Sequence, residues 1–462
     1  MKGMKVIKFS EGPALDMGTE RIPKLIASFA LPAVLGMLAG AVYNIVDRIF
    51  VGHAVGPVGL AAISTSFPTM LLMFACTLLI SVGGASRVSI LRGAEKHHKA
   101  EQALAHAVAM LSLVGAVGIA MAFTGIDTLL FYSGASEAVL PVARAYLRII
   151  LIGGPFALMG GGLNSFIRAC GSPRYAMGTQ MLGALSNVAL DALFILKMGM
   201  GVEGAALGTV VAQSLATAMG LAYFFMKESP LRIRLYYILR PKFSVVKRIC
   251  SVGSAPFIVE LSFVAYMAVM NQMIKLYGGD IALSALGIFF SLDSMIFLPA
   301  LAIGEAAQPI VGYNYGAGKP GRVIHTLKYA LKLATGFYVV SFLVAEIFTS
   351  LFVRMFTSDP ELIAVTVPGI RMSYLGIVFF ALPVVTNAAL QGLGKAKESL
   401  LLSLLRQVFF MFLPVFFLPR FLGLNGVWLS FPVGDICGGL LACLFLIRII
   451  RWLRTPEARF AE

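Results

Sequence analysis

Twelve runs of apolar residues dominate the chain: 25–50, 58–86, 103–125, 143–167, 175–196, 203–226, 252–276, 281–311, 327–350, 366–391, 399–420 and 424–450. Each is long enough to cross a bilayer as a helix, which takes about 20 residues. The runs are continuous and do not alternate with period two, so they read as helices and not as strands of a barrel. The composition leaves little alternative, because 59% of the residues are hydrophobic and only 13% are charged, against about 25% charged in soluble domains. The expected fold is an all-α integral membrane protein of twelve transmembrane helices.

The second constraint is internal repetition. Pro32 in helix 1 recurs as Pro256 in helix 7, 224 residues later. Gly93-Ala94-Glu95-Lys96 after helix 2 matches Gly316-Ala317-Gly318-Lys319 after helix 8, at an offset of 223. The end of helix 4, Asn164 to Gly171, matches Asn387 to Gly394, again at 223. Gly201-Val202-Glu203-Gly204 before helix 6 matches Gly423-Leu424-Asn425-Gly426 at 222. Each copy therefore holds six helices. An even number makes both copies enter the membrane in the same direction, so two six-helix bundles are expected about a pseudo-twofold axis along the membrane normal, with a central cleft between them. The expected organisation is a cytoplasmic N-terminal segment (1–24), an N-lobe (25–226), a cytoplasmic linker (227–251), a C-lobe (252–450) and a cytoplasmic tail (451–462).

The formal charge of +15 could indicate nucleic acid, but its placement argues against that. With the N-terminus in the cytoplasm, 29 of the 37 Lys and Arg fall on or near the cytoplasmic side, including Lys2, Lys5, Lys8, Lys227 to Arg248, Arg406 and Arg459. This is the positive-inside bias, and it predicts a multi-pass protein of the cell (plasma or inner) membrane with both termini cytoplasmic. The five cysteines form no CxxC pair, so neither a disulfide framework nor a zinc site is expected. No catalytic motif of the HExxH or GxSxG type occurs, which speaks against a membrane enzyme.

Acidic residues within spans are costly and mark function by default. They are Asp47, Asp191, Glu260, Asp293, Glu305, Glu346 and Asp435. Asp47 and Asp191 both lie near the outer ends of outward-running helices. Asn187 precedes Asp191 by one turn on the same face, and Thr209 falls in the outer half of helix 6. Four oxygen-bearing side chains from three helices thus reach one depth in the first lobe. Oxygen ligands suit a hard cation such as Na⁺, and a close carboxylate pair equally suits a proton. The repeat offsets map Asp47 to Asn271, Asn187 to Phe409, Asp191 to Leu413 and Thr209 to Phe431, so ion coupling is expected in the first lobe alone. Glu260 follows Pro256 by one turn and could attract cations or pair with Arg406. Pro32 interrupts helix 1 and is the expected hinge.

The motifs resemble those of the multidrug and toxin extrusion (MATE) family. They are Leu31-Pro32, Asn44-Ile45-Val46-Asp47, Val51-Gly52, Asn187 to Asp191, Gly201 to Ala206 and Gly312 to Gly318. The resemblance spans essentially the whole chain and is nearer to DinF/MepA-like bacterial and archaeal members than to NorM. It implies an exporter of cationic amphipathic drugs or toxins, an antiporter driven by inward H⁺ or Na⁺ and working by alternating access, with no cofactor. It assigns the ion or proton site to Asp47, Asn187, Asp191 and Thr209, and adds the Ala205 backbone carbonyl. NorM-type members carry a glutamate at the place of Glu260 and an acid in helix 10, where this chain reads Phe379-Phe380-Ala381-Leu382-Pro383. A lipid or oligosaccharide flippase is the nearest alternative. It would line its cleft with Arg or Lys, and the mid-span stretches here are nearly free of them. The expected partners are small cationic substrates and membrane lipids, with no nucleic acid, and the expected state is a monomer.

Overall fold

A computed structural model describes residues 15–134 and 136–456; Lys2, Lys5, Lys8 and Arg459 lie outside them. The described residues contain helices and turns but no strand. The chain divides into two compact units, Met1–Gly253 and Ser254–Glu462.

The first unit is built from α1 (Ile22–Ala54), α2 (Pro57–Gly93), α3 (His97–Thr124), the short α4 (Ile126–Tyr132), α5 (Leu140–Ala169), α6 (Pro173–Asp191) and α7 (Gly201–Tyr223). A four-residue helix, α8 (Leu235–Ile238), lies in the segment after α7. Proline opens α2, α5 and α6, where its missing N–H costs nothing and its fixed φ suits the first turn. α6 continues into a π-helical stretch, Ala192–Lys197. α5 packs against α2, α3 and α7, while α1 lies on α6.

The next helix, α9, runs from Phe243 to Gly316 and contains one non-helical residue, Gly279, at φ 68°. Only glycine adopts that conformation without strain, and it falls in the expected gap between helices 7 and 8. The second unit then comprises α10 (Pro320–Arg354), α11 (Pro360–Tyr374), a 3₁₀ turn (Ile377–Phe380), α12 (Ala381–Gly392), α13 (Ala396–Leu404), a π-helical stretch (Leu405–Phe412), α14 (Leu413–Leu422) and α15 (Leu424–Leu453). Among the described residues, ten helices are long and apolar enough to span a membrane. Taking α11 and α12 as one span bent by 48° gives eleven, and dividing α9 at Gly279 gives the expected twelve. The ends run a few residues beyond the apolar runs because helices continue into polar flanks. Helix 10 is not one straight rod but this bent pair.

The duplication is written in the backbone itself. Positive φ recurs at Gly56 and Gly279, Glu95 and Gly318, Gly171 and Gly394, and Gly201 and Gly423. These pairs keep the sequence offsets of 223, 223, 223 and 222. The same four corners are turned twice.

The segment after α7, within the first unit, is fastened to α3. Glu101 accepts from the Arg232 backbone N–H at 3.3 Å and from Arg234 Nε at 2.5 Å. His106 Nε2 accepts from the Lys242 N–H at 2.7 Å.

Candidate functional site

The predicted residues of the first unit converge. Asp191 ends the α-helical part of α6 and is 0% exposed, and Asn187 one turn earlier is 2% exposed. The Asn187 amide donates to Asp191 Oδ1 and to Thr209 Oγ1 of α7, each at 3.3 Å. Asp47, near the end of α1, is buried and stands within electrostatic range of Asp191. Among the described residues, Asp47 Oδ1, Asn187 Oδ1 and Asp191 Oδ2 are buried without a hydrogen-bond partner. All three are acceptor oxygens. Buried acceptors without donors are costly, and a proton or a hard monovalent cation is what satisfies such a set. Two carboxylates, an amide oxygen and a hydroxyl are oxygen ligands of the kind Na⁺ takes.

Ala205 sits one turn before Thr209 on α7, fully buried in an apolar cluster with Val51, Tyr146 and Ile195. That cluster forms an apolar wall next to Thr209. Sequence reasoning misses three further participants. Tyr43 stands one turn before Asp47, within electrostatic range of both carboxylates. Tyr146 of α5 is close to the same pair. Gly208 of α7 leaves room for Asp191, since a Cβ there would collide with Asp191 Oδ1. The i, i+4 spacing of Tyr43 and Asp47 is the available signal.

A cavity of about 260 Å³ adjoins this group. Its lining includes Tyr43, Asn187, Thr209, Gln180, Phe156 and Gln213, so side chains of the polar cluster form part of its wall. A wider groove of about 540 Å³ in the second unit, lined by Phe409, Phe417 and Leu441 among others, is apolar-walled and holds no chemistry. Pro32 lies within an unbroken α1. One turn later Gly36 admits the Gln180 side chain, so α1 and α6 approach closely there.

The second unit does not repeat the polar set. Phe431, the counterpart of Thr209, packs on Phe289 with ring centres 4.7 Å apart. Phe409 and Leu413, the counterparts of Asn187 and Asp191, are 52% and 43% exposed. Arg406 pairs with Asp435 at 3.7 Å and not with Glu260, and lies inside the eleventh span and not in the loop before it. Glu346 faces Arg371 at 3.8 Å. Glu260 is half-buried and makes no ion pair among the described residues.

The MatE family profile matches residues 32–193 and again 256–416, so it meets the chain once in each repeat and begins at Pro32 and Pro256. The chain belongs to the MatE family. Among its relatives, the "Multidrug export protein MepA" of Staphylococcus aureus is 24% identical over 453 residues, covering 98% of this chain and 97% of the relative. A solved structure of the MATE multidrug transporter DinF-BH, captured in a complex, is 34% identical, with a TM-score of 0.87 over 95% of this chain and 98% of that one. An outward-facing MATE family transporter of the MOP superfamily matches at 23% identity and TM-score 0.88, covering 98% of this chain and 100% of the other. The MATE resemblance read from the motifs, and its lean toward DinF and MepA, agree with these matches.

Proposed function

We propose that this MATE protein is a multidrug exporter of the cell membrane, a secondary antiporter that expels cationic amphipathic compounds by alternating access in exchange for inward H⁺ or Na⁺. The observation that carries the coupling half of this reading is the buried set Asp47, Asn187, Asp191 and Thr209, with three acceptor oxygens that have no donor among the described residues. The substrate half draws on the relatives, one named a multidrug export protein and one a multidrug transporter. Ala205 contributes its carbonyl, and Pro32 is the hinge on which α1 bends when the ion is taken or released. The protein works as a monomer in contact with lipid. The deciding experiment is efflux of ethidium from everted vesicles under separately imposed Na⁺ and pH gradients. Drug movement that ignores both gradients overturns the antiport reading.

The positive-inside charge bias supports cytoplasmic termini. Single cysteines at Lys96, Arg234 and Lys395 are then expected to react with an impermeant maleimide only from the cytoplasmic side, and those at Gly199 and Asp359 only from outside. Reaction of the Arg234 cysteine from outside reverses the orientation. Glu260 draws cationic substrates by its charge. Glu260→Gln is expected to weaken binding of a cation by about fivefold, roughly 1 kcal/mol, and to leave a neutral analogue of the same shape unaffected. Titration calorimetry with both compounds checks this, and equal losses for the two assign Glu260 to packing.

A further inference from the structure

Several spans of the second unit send charged and phenolic groups toward one largely enclosed place around Arg406. Arg406, on the π-helical stretch of the eleventh span, faces Asp435 of α15, Nη2 to Oδ1 at 3.7 Å, and its guanidinium lies 4.4 Å from the ring centre of Phe380 in the 3₁₀ turn. Both side chains of the pair are almost enclosed, 12% and 14% exposed. Asp293 of α9 is within electrostatic range of Asp435, as are Tyr266 of α9 and Tyr338 of α10, and Tyr374 of α11 is within range of Asp293. The three tyrosines are 1–2% exposed. Among the described residues, the hydroxyls of Tyr338 and Tyr374 and the Nε of Arg406 have no hydrogen-bond partner.

A carboxylate in a low-dielectric interior is stabilised by a proton or by a positive charge beside it. In the first unit, no ion pair among the described residues supplies one to Asp191. In the second unit a guanidinium does, and Phe380 holds it by a cation–π contact. Phe380 belongs to the Phe379–Pro383 stretch, where an acid is absent. Gly438 of α15 leaves the space across which Arg406 lies, its Cγ 3.0 Å from where a Cβ would stand.

We propose that Arg406 is a built-in cation: beside Asp435 of the second unit it takes the place that an exchangeable ion or proton takes in the first, and its removal turns this cluster into a site for a free monovalent cation. The oxygens that remain around its place, from Asp435, Tyr266 and Tyr338, are of the kind a hard cation binds. With the guanidinium in place the cluster needs no external ion, so the second unit contributes no coupling ion to the transport cycle. The inference does not depend on the first-unit site carrying the coupling ion, because its test is made where that site has been neutralised.

The test uses full-length protein carrying Asp47→Asn and Asp191→Asn, purified in detergent, with thermal midpoints measured in NaCl against choline chloride at fixed ionic strength and at several pH values. With Arg406 intact, the midpoint is expected to be independent of Na⁺. Adding Arg406→Gln is expected to lower it by roughly 5–10 °C, since one charge of a buried pair is left alone, and to make it rise with Na⁺ or with falling pH. Adding Asp435→Asn to that variant is expected to recover most of the loss and abolish both dependences. If Arg406→Gln yields no folded protein while Arg406→Gln/Asp435→Asn does, the charge account stands. A stable Arg406→Gln variant with no gained cation or pH response overturns it, and so does a doubly neutral variant no better than the single one.

Discussion

Asp47→Asn and Asp191→Asn are each expected to abolish gradient-driven efflux while leaving folded protein in the membrane. An ion shifts a conformational equilibrium only by its differential affinity for the two states. In the proposed site that affinity would come from oxygens of α1 and α6 that no donor among the described residues satisfies, with the Thr209 hydroxyl of α7 beside them. Converting one carboxylate to an amide removes a charge and turns one acceptor into a donor. It forfeits coupling on the order of 1–3 kcal/mol, about 5–150-fold in drug distribution. The double variant is expected to be no worse than either single one, because residues that act as a unit are non-additive. Everted-vesicle efflux, with drug binding measured alongside, checks this. Driven efflux at the original rate in Asp47→Asn removes Asp47 from the mechanism. Activity retained only by Asp191→Asn leaves Asp47 as a lone proton carrier and ends the case for a sodium cage.

Gly208→Ala is expected to produce nearly the same defect without touching a charge. Asp191 and Gly208 face each other across the α6–α7 contact. A Cβ at position 208 would stand 3.4 Å from the Asp191 backbone nitrogen and inside the space of Asp191 Oδ1. The carboxylate must leave its place beside Asn187, or α6 and α7 must part. Overpacking of this kind costs about 1–3 kcal/mol, and the flexible carboxylate end yields before the backbone does. Coupled efflux should therefore fall toward the Asp191→Asn level while thermal stability drops only modestly. Gly118→Ala on α3 is the control, because its Cβ would make only an ordinary contact, 3.8 Å from the Leu151 carbonyl oxygen. Near-normal efflux in Gly208→Ala would show that the position of the Asp191 carboxylate is not critical.

Much of the architecture is legible in the residues. Span number follows from apolar run length, and duplication from four ordered matches whose turns reappear as four pairs of positive-φ corners. The polar set of the first unit is legible because Asn187 and Asp191 keep helical spacing and Thr209 falls early in the neighbouring helix at the same depth. Contacts between helices are harder to see. Tyr43 and Tyr146 read as ordinary aromatics in apolar runs, and Gly208 reads as one glycine among 47. Arg406 groups with the cytoplasmic charges in the sequence, which shows a basic residue near the start of a run but not that the helix buries it. Its partner Asp435 lies on the next helix, and no local pattern links them.

The two π-helical stretches bear on how the halves of a duplicated chain come to differ. One follows Asp191, whereas the other precedes Leu413, the residue at the corresponding position in the second copy. A π turn closes its hydrogen bonds one residue later than an α turn, so it absorbs an extra residue and rotates the remainder of the helix by about 100°. Where the second copy's wide turn begins, the copies still agree: Ala184 and its counterpart Arg406 are both turned inward. Beyond that point they part, with Asn187 and Asp191 enclosed and Phe409 and Leu413 facing out. The repeat offset also falls from 223 at Gly171 to 222 at Gly201. A shift of register within one helix therefore changes which residues selection acts on as interior. Once the fifth and eleventh helices differed in this way, each copy was free to keep its own chemistry, a buried acidic cluster in one and a tethered guanidinium in the other.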